Sequence, residues 1–487
     1  MDNFSPLSTT RFDRLALFSF AWAVANVLHA LSFADRITLQ HPFAVAVVLA
    51  AALVLLIPWS IWPFLLMLCC SVANTFEWMP YAPNHITFEF IINSGILVTL
   101  TWSMVRLYRK DKTMIAIKAL ATRTTLFNSF APLVRISLFV LYFYAVLHKL
   151  NWDYFNVNIS CSTFLLAGYK DRIPFMPDNP LVRWLAVWGT IILEAAIPLL
   201  LYFRKTRSTG LLLACGFHYF LSLHPHQGLY SFSAMLFAIY TLFLPNTFVA
   251  SIPTPMNTLW PKAGQGVLLL LRLFIAAGII VVVALNLVAS VYIDNITHKL
   301  NILGLVIWLI WGFILIVIYS YNAVNNNYKR EQYTTLFYMS HKALWLVPLL
   351  LLFNGMTPYL GIKTQTSFSM FSNLRTEGNI TNHMFISSSL HIGDKEKDLV
   401  EVVSTNLKDL QILVDNKQLI PYFEFRRITS NAHTNFYVTY IRAYQQQTVH
   451  VVNGISSQPE LLIAHNRLAA KFIRFRPVDK GPCLCKH

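Results

Sequence analysis

Long apolar runs separated by short polar segments fill most of the chain up to residue 360. A helix that crosses a bilayer needs about 20 predominantly apolar residues. The runs therefore predict a polytopic α-helical membrane protein with about eleven spans. We place these spans at 15–34, 43–58, 60–79, 86–105, 131–150, 184–203, 210–224, 228–245, 267–291, 302–320 and 343–356.

After residue 360 the pattern changes, because charged residues become frequent and the apolar residues stand in shorter groups. The segments YFEFRRITS, NFYVTYIRAY and TVHVVNGI alternate between apolar and polar residues, which is typical of strands. The sequence thus predicts a multi-span membrane domain over 1–360. A small, mostly β, extramembrane domain is predicted over 361–487.

The composition agrees with a membrane protein, since 56% of the residues are hydrophobic and only 12% are charged. A soluble domain carries about 25% charged residues. The net charge of +16 is not taken as a sign of nucleic-acid binding, because most basic residues flank apolar runs. The six cysteines form no CxxC pattern. His224 and His226 have no carboxylate or cysteine at ligand spacing, so no metal site is expected.

The basic residues fall on alternate loops between the predicted spans. Lys and Arg are enriched in the cytoplasmic loops of membrane proteins, so this distribution predicts a cytoplasmic N-terminus. It also places His85, Lys149 and the C-terminal domain on the outer side. The residues assigned to the cytoplasmic side are Arg11, Arg14, Arg106, Arg109, Lys110, Lys112, Lys118, Arg123, Arg204, Lys205, Arg207, Lys329, Arg330 and Lys342.

The stretch YFYAVLHKLNWDYFNVNISC, residues 142–161, joins the end of an apolar helix to a dense group of polar side chains. His148 and Lys149 lie at this junction. A partly desolvated lysine loses stabilisation of its charge, and its neutral amine then acts as a general base. The alternative is an interfacial anchor, whose ammonium is drawn to water while its methylenes stay in lipid. Both interpretations remain open from the residues alone.

Other candidate positions also have a structural alternative. Asn84 and His85 precede an apolar span, where they either cap a helix or form a site. His218 and Glu194 each lie inside an apolar span, where a polar side chain needs a partner or a cavity. Phe368 belongs to a loop rich in Gly, Pro, Ser and Thr, where it lines a pocket or packs on the membrane rim.

Taken together, these separated motifs resemble the vitamin K-dependent γ-glutamyl carboxylase family, within the wider group that carries a horizontally transferred transmembrane (HTTM) domain. The resemblance extends from residue 84 to about 380, with the motifs in the family's order. The matching pieces are Asn84–His85 with the following span, YFYAVLHKLNWDYF around Lys149, FHYFLSLHPHQGLYSFSAMLF from Phe217, and FSMFSNLRTE from Phe368.

The resemblance implies a membrane enzyme that uses a reduced quinone of the vitamin K or menaquinone type. Lys149 is then the catalytic base for the quinone, and His85 assists the step at the substrate carbanion. Oxygen converts the quinone into a base strong enough to take the γ-proton of a glutamate side chain, and CO2 adds there. His218, Asn84, His148 and Phe368 are the expected cofactor-binding residues.

The resemblance also implies partners, and a length below that of the animal carboxylases favours a bacterial location. We expect contact with membrane lipid and a peptide or protein substrate that carries glutamate, in a bacterial inner membrane. The alternative hypothesis is a non-catalytic HTTM membrane protein that binds a lipid or a peptide and aids maturation or export of a secreted factor. A transporter is disfavoured, since we find no inverted repeat in the sequence.

Overall fold

A computed structural model of the chain describes residues 13–111, 120–245, 296–324, 336–387 and 395–485, with some isolated positions between them. The described chain is mainly helical, with one sheet near the C-terminus. Its α-helices are α1 (Arg14–Ser32), α2 (Pro42–Leu56), α3 (Ile61–Trp78), α4 (Asn84–Asp111), α5 (Leu120–Leu147), α6 (Trp152–Phe155), α7 (Cys161–Gly168), α8 (Pro180–Tyr202), α9 (Arg207–Leu221), α10 (Gln227–Tyr240), α11 (Ile296–Val324), α12 (Leu346–Met356), α13 (Lys408–Asp415), α14 (Tyr422–Ser430) and α15 (Arg467–Phe472).

Among the described residues, six helices are long and apolar enough to cross a membrane. They are α1, α3, α8 and the main parts of α4, α5 and α11. Shorter apolar helices include α2, and the predicted span 210–224 is the 15-residue helix α9. The predicted span 267–291 lies largely outside the described residues. Length and composition thus support a multi-pass membrane protein, while the count of about eleven spans stays a prediction.

By its internal contacts the chain divides into two compact units. Unit 1 consists of Met1–Glu77, Phe88–Phe139 and Ala196–Pro348. In this unit α1 packs against α2, α10 and α11. Gly304 permits the approach of α11, because a Cβ there would lie only 2.7 Å from Tyr230 Oη.

Unit 2 consists of Trp78–Thr87, Val140–Ala195 and Leu349–His487, so it takes residues from both sides of the predicted boundary at 360. It contains a six-stranded sheet in the order β5-β4-β3-β1-β2-β6, with antiparallel neighbours. The strands are β1 (Leu399–Thr405), β2 (Gln418–Pro421), β3 (Phe436–Arg442), β4 (Gln445–Val452), β5 (Ile455–Ser456) and β6 (Val478–Asp479).

One predicted strand is wrong. YFEFRRITS folds as the helix α14, whereas NFYVTYIRAY and TVHVVNGI contain β3 and β4. The aromatic residues of YFEFRRITS fit helical spacing as well as alternation, and Phe425 is fully buried against the core of the sheet. Glu424 and Arg427 are buried as an ion pair one turn apart. The C-terminal region therefore combines one antiparallel sheet with helices, rather than being mostly β.

A disulfide joins the first residue of α7, Cys161, to Cys485 in the C-terminal tail. The two cysteines are 324 residues apart in the sequence and both belong to unit 2. Cys483 remains a free, buried thiol. The bond fixes the tail to the segment that follows Lys149.

Candidate functional site

Lys149 lies just beyond the C-terminal end of α5 and is buried, with 6% of its side chain exposed. Its Nζ donates to Glu194 Oε2 across 2.8 Å and to Glu194 Oε1 across 3.0 Å. A third bond, of 3.1 Å, goes to the carbonyl oxygen of Ala145. The ammonium is thus held by a carboxylate and a carbonyl and does not extend to water as an interfacial anchor does.

From the sequence, Glu194 on α8 needed either a partner or a cavity. The structure gives it a partner, Lys149. Near this pair, three hydroxyl groups form a hydrogen-bonded series. It begins with Tyr154, whose Oη lies 2.5 Å from Ser162 Oγ. Ser162 Oγ in turn donates to Thr190 Oγ1 on α8 across 3.4 Å. Burial, together with the charge of Glu194, raises the pKa of Tyr154 well above its usual value. Tyr154 therefore remains a neutral hydroxyl.

His148 is fully buried beside Lys149 in the chain and points into a different environment. Its Nε2–H donates to the carbonyl oxygen of Gly355 on α12 across 3.0 Å. Its ring centroid lies 5.1 Å from that of Tyr144 and 5.6 Å from that of Tyr359.

The loop that follows α12 has an unusual backbone. Thr366, Phe368, Phe371 and Asn373 have positive φ angles of 58°, 65°, 53° and 53°. The left-handed conformation costs a non-glycine residue roughly 1–3 kcal/mol and is concentrated at functional sites. Here the loop is tied to the rest of unit 2 by side-chain amides. This arrangement marks residues 366–373 as a shaped segment rather than a simple connection.

Asparagines from two distant motifs hold this loop. Asn84, the first residue of α4, accepts the backbone N–H of Phe368 at Oδ1 across 2.7 Å. Asn151 donates from Nδ2 to the carbonyl oxygen of Ser372 across 2.6 Å, and its Oδ1 caps α6. Tyr144 lies next to both His148 and Phe368, with a ring separation of 6.3 Å from Phe368. Three of the four sequence motifs thus meet within unit 2.

The other predicted site residues have different positions. His85 is buried at the second position of α4, with 1% of its surface exposed, and belongs to unit 2. His218 belongs to unit 1, where its ring lies against Phe217, Phe232 and Tyr240. The structure therefore associates Asn84, His148 and Phe368 through shared contacts, and Lys149 with Glu194.

Sequence reasoning missed several polar groups of unit 2. Tyr359 is 3% exposed, and its hydroxyl has no hydrogen-bond partner among the described residues. Lys363 is 6% exposed and donates to Thr366 Oγ1 across 3.0 Å. Burial lowers the pKa of Lys363 to about 8. The available signal was the density of Ser and Thr around Lys363, which is high for a segment next to a membrane span.

Within the described part of the chain, no group of three His, Cys, Asp or Glu residues is placed to hold a metal ion. The two histidines of the HPH turn accept hydrogen bonds from backbone N–H groups. His224 Nδ1 accepts from the N–H of His226 across 3.0 Å, and His226 Nδ1 accepts from the N–H of Gly228 across 3.2 Å. The ring nitrogens that face the turn are thus occupied by the cap of α10.

No protein-family model matches the chain, and neither a curated protein nor a solved structure matches it.

Proposed function

We propose that this chain is a multi-pass membrane enzyme of the γ-glutamyl carboxylase type. It couples oxidation of a reduced quinone by O2 to proton abstraction and CO2 addition at a glutamate side chain. The observation that carries the proposal is the buried pair of Lys149 and Glu194, with Nζ–O distances of 2.8 and 3.0 Å. A primary amine and a proton acceptor are thereby held together away from bulk water.

The pair explains how a buried lysine acts as a base. Charged side chains are costly to desolvate, so transfer of a proton from Lys149 Nζ to Glu194 removes two opposite charges at once. Lys149 is then a neutral amine that accepts a proton from a substrate hydroxyl. The net result is one proton moved from the substrate to the Glu194 carboxylate, with Lys149 as the carrier.

Unit 2 also offers features that fit a flat quinone ring. A reduced quinone supplies, when bound, the hydroxyl proton and the reducing equivalents for reaction with O2. The rings of Tyr144, His148, Tyr359 and Phe368 lie near one another, with centroid separations between 5.1 and 6.3 Å. Tyr359 Oη, which is buried without a protein partner in the described chain, suits a quinone oxygen. Asn84, through the N–H of Phe368, holds the last of these rings in position.

The disulfide supports the proposed orientation. Disulfides persist in oxidising compartments and are rare in the cytosol. Cys161, twelve residues after Lys149, and the tail at Cys485 therefore belong on the outer side of the membrane. We therefore propose that the C-terminal domain and any glutamate-bearing peptide lie on this outer side, with a bacterial inner membrane as the proposed location.

A second candidate function is a non-catalytic HTTM protein that binds a lipid or a peptide and aids a secreted factor. The observation that favours it is the same ion pair, because a lysine with a bidentate carboxylate partner is also a stable structural link between α5 and α8. In that case the ring cluster binds an apolar ligand without turnover.

The two functions are separated by a turnover assay on the full chain. Purified protein in nanodiscs receives reduced vitamin K, O2, labelled CO2 and a glutamate-containing peptide. We expect epoxide formation and labelled peptide from wild type, and loss of both in Lys149→Ala. Lys170→Ala is the control, since Lys170 is a half-exposed lysine of unit 2 that pairs with Asp178. Quinone binding without epoxide from wild type overturns the enzyme and favours the binding protein.

A further inference from the structure

Unit 1 contains a buried chain of three side chains from three helices. His29 of α1 has its Nδ1 2.5 Å from Ser231 Oγ of α10 and its Nε2 2.6 Å from Glu89 Oε1 of α4. The exposed fractions of His29, Ser231 and Glu89 are 7%, 0% and 1%. Such ionisable groups are costly inside apolar helices. They require a compensating role, either in function or in holding the helices together.

The geometry connects the two ring nitrogens of His29 to a group that can donate a proton, the Ser231 hydroxyl, and to one that can accept a proton, the Glu89 carboxylate. With a neutral ring, the Ser231 hydroxyl donates to Nδ1 while Nε2–H donates to the Glu89 carboxylate. Ser231 Oγ passes its hydroxyl proton to Nδ1 and takes a replacement proton from solvent hydronium on its other side, so it remains a hydroxyl while His29 becomes an imidazolium. The imidazolium then releases its Nε2 proton to Glu89. The products are a carboxylic acid and the opposite neutral tautomer, so one proton has moved from the Ser231 side to Glu89.

The next turn of the helices is polar but is not built for proton transfer. Trp22 Nε1 donates to Asn93 Oδ1 across 3.0 Å, and Asn93 Nδ2 donates to Ser71 Oγ across 3.0 Å. Indole and amide groups hold their protons. The transferable chain therefore ends at Glu89, and His29 is its only ion-pair partner in the described chain.

A solvent-exposed residue lies one helical turn from the other end of this chain of side chains. α10 begins at the exposed Gln227, one turn before Ser231. Gln227 accepts from Asn301 Nδ2 at Oε1 across 2.8 Å, and its carbonyl oxygen accepts from Ser32 Oγ across 3.0 Å. Among Ser231, His29 and Glu89, Ser231 is thus the residue nearest in sequence to a solvent-exposed polar residue of its own helix.

From this arrangement we propose that Ser231, His29 and Glu89 form a proton-transfer site, in which His29 carries protons between the Ser231 end and the buried carboxylate of Glu89. The Ser231 side chain is fully buried between helices, which suits the relay of a proton rather than attack on a substrate carbonyl. The site does not depend on the proposed quinone chemistry, since all its groups lie in unit 1.

The test follows protonation of Glu89 by infrared difference spectroscopy after a pH jump, with the full chain in nanodiscs. The carbonyl stretch of a protonated carboxylic acid is assigned by its loss in Glu89→Gln. We expect a fast, reversible band in wild type and roughly a hundredfold slower formation in His29→Gln and Ser231→Ala. Ser233→Ala is the matched control, and its rate should stay at the wild-type value. Ser233 is a buried serine of α10 whose hydroxyl, within the described part of the chain, bonds to backbone carbonyls alone.

Three results overturn the proposal. The first is the absence of a Glu89 band over the pH range in which the chain stays folded, and the second is an unchanged rate in Ser231→Ala. The third is covalent labelling of Ser231 by an alkyl fluorophosphonate, which identifies a nucleophile open to substrate. If His29→Gln does not fold, Ser231→Ala decides the matter because it removes one hydroxyl only. Quinone turnover is not measured, so failure of the proposed enzyme leaves this test intact.

Discussion

The backbone N–H of Phe368 donates to Asn84 Oδ1 across 2.7 Å, although the two residues are 284 positions apart in the sequence. This bond fixes a left-handed phenylalanine to the start of α4. A strained backbone position persists only where surrounding contacts hold it. The hydrogen bond therefore joins two of the motifs on which the family resemblance depends.

Replacement of Asn84 should release this loop. Asn84→Ala leaves the buried N–H of Phe368 without its acceptor, which costs about 1–3 kcal/mol of unfolding free energy. Thermal unfolding in detergent measures the loss. Asn158→Ala is the control, since Asn158 is an exposed asparagine of the same unit, and it should change stability little. An Asn84→Ala protein as stable as the control contradicts the assigned role.

Gly355 on α12 lies directly against the ring of Tyr144, so that a Cβ at this position would overlap the ring. We expect Gly355→Ala to destabilise the chain by about 1–3 kcal/mol, which is typical of overpacking. Gly189→Ala on α8 is the matched control, because a Cβ there would have no heavy atom of the described residues within 4 Å, apart from its chain neighbours and the backbone of its own helix. That change should be neutral or stabilise the helix by about 0.5–1 kcal/mol. Equal unfolding temperatures for the two variants contradict this packing.

Lys363 predicts a specific dependence of stability on pH. Its pKa is about 8 in the folded chain, below the ordinary value of 10.5. Between these values the unfolded chain binds more protons, so stability rises as the pH increases from about 8 towards 10. The full effect is about 3 kcal/mol. Lys363→Met should remove this rise and stabilise the chain below pH 8, whereas a half-exposed lysine changed in the same way, Lys480→Met, should leave the rise in place.

The disulfide between Cys161 and Cys485 predicts a difference between compartments. Cys485→Ser should cost about 2–5 kcal/mol, as loss of a native disulfide does. Peptide mapping without reduction should recover the two cysteines in one cross-linked fragment. Cys483→Ser is the control, since Cys483 is a free thiol two residues away. A chain isolated from an intact membrane with Cys161 and Cys485 both reduced contradicts the proposed outer location.

The sequence predicted the positions of several helices, but it did not predict the packing of α14 or the disulfide. The apolar runs at α1, α3 and α8 give these helices directly, because burial in a membrane or core requires apolar length. The strand predicted for the segment at α14 was wrong, since its aromatic spacing fits both a helix and a strand, and only the packing of Phe425 against the core of the sheet selects the helix. The disulfide was not predicted, because pairing over 324 residues cannot be deduced from cysteine positions.

For the site, the residue types were informative but their partners were not. Lys149 and Glu194 were each singled out as ionisable groups in apolar surroundings, which is a local property of the sequence. Their pairing depends on how the residues just after α5 pack against α8, since Lys149 and Glu194 are 45 positions apart in the sequence. The four left-handed residues of the segment 366–373 are Thr366, Phe368, Phe371 and Asn373, none of them glycine, so the usual sequence signal for positive φ is missing there.

The most direct test of the central claim is the rate of quinol oxidation at saturating quinol in wild type and Glu194→Gln. Glutamine keeps the size and one hydrogen-bond acceptor of Glu194 but takes no proton from Lys149. The account predicts a rate roughly a hundredfold below wild type, with no further loss in the Lys149→Ala/Glu194→Gln double variant, because the two residues act as one unit. A Glu194→Gln protein that oxidises quinol as fast as wild type contradicts it.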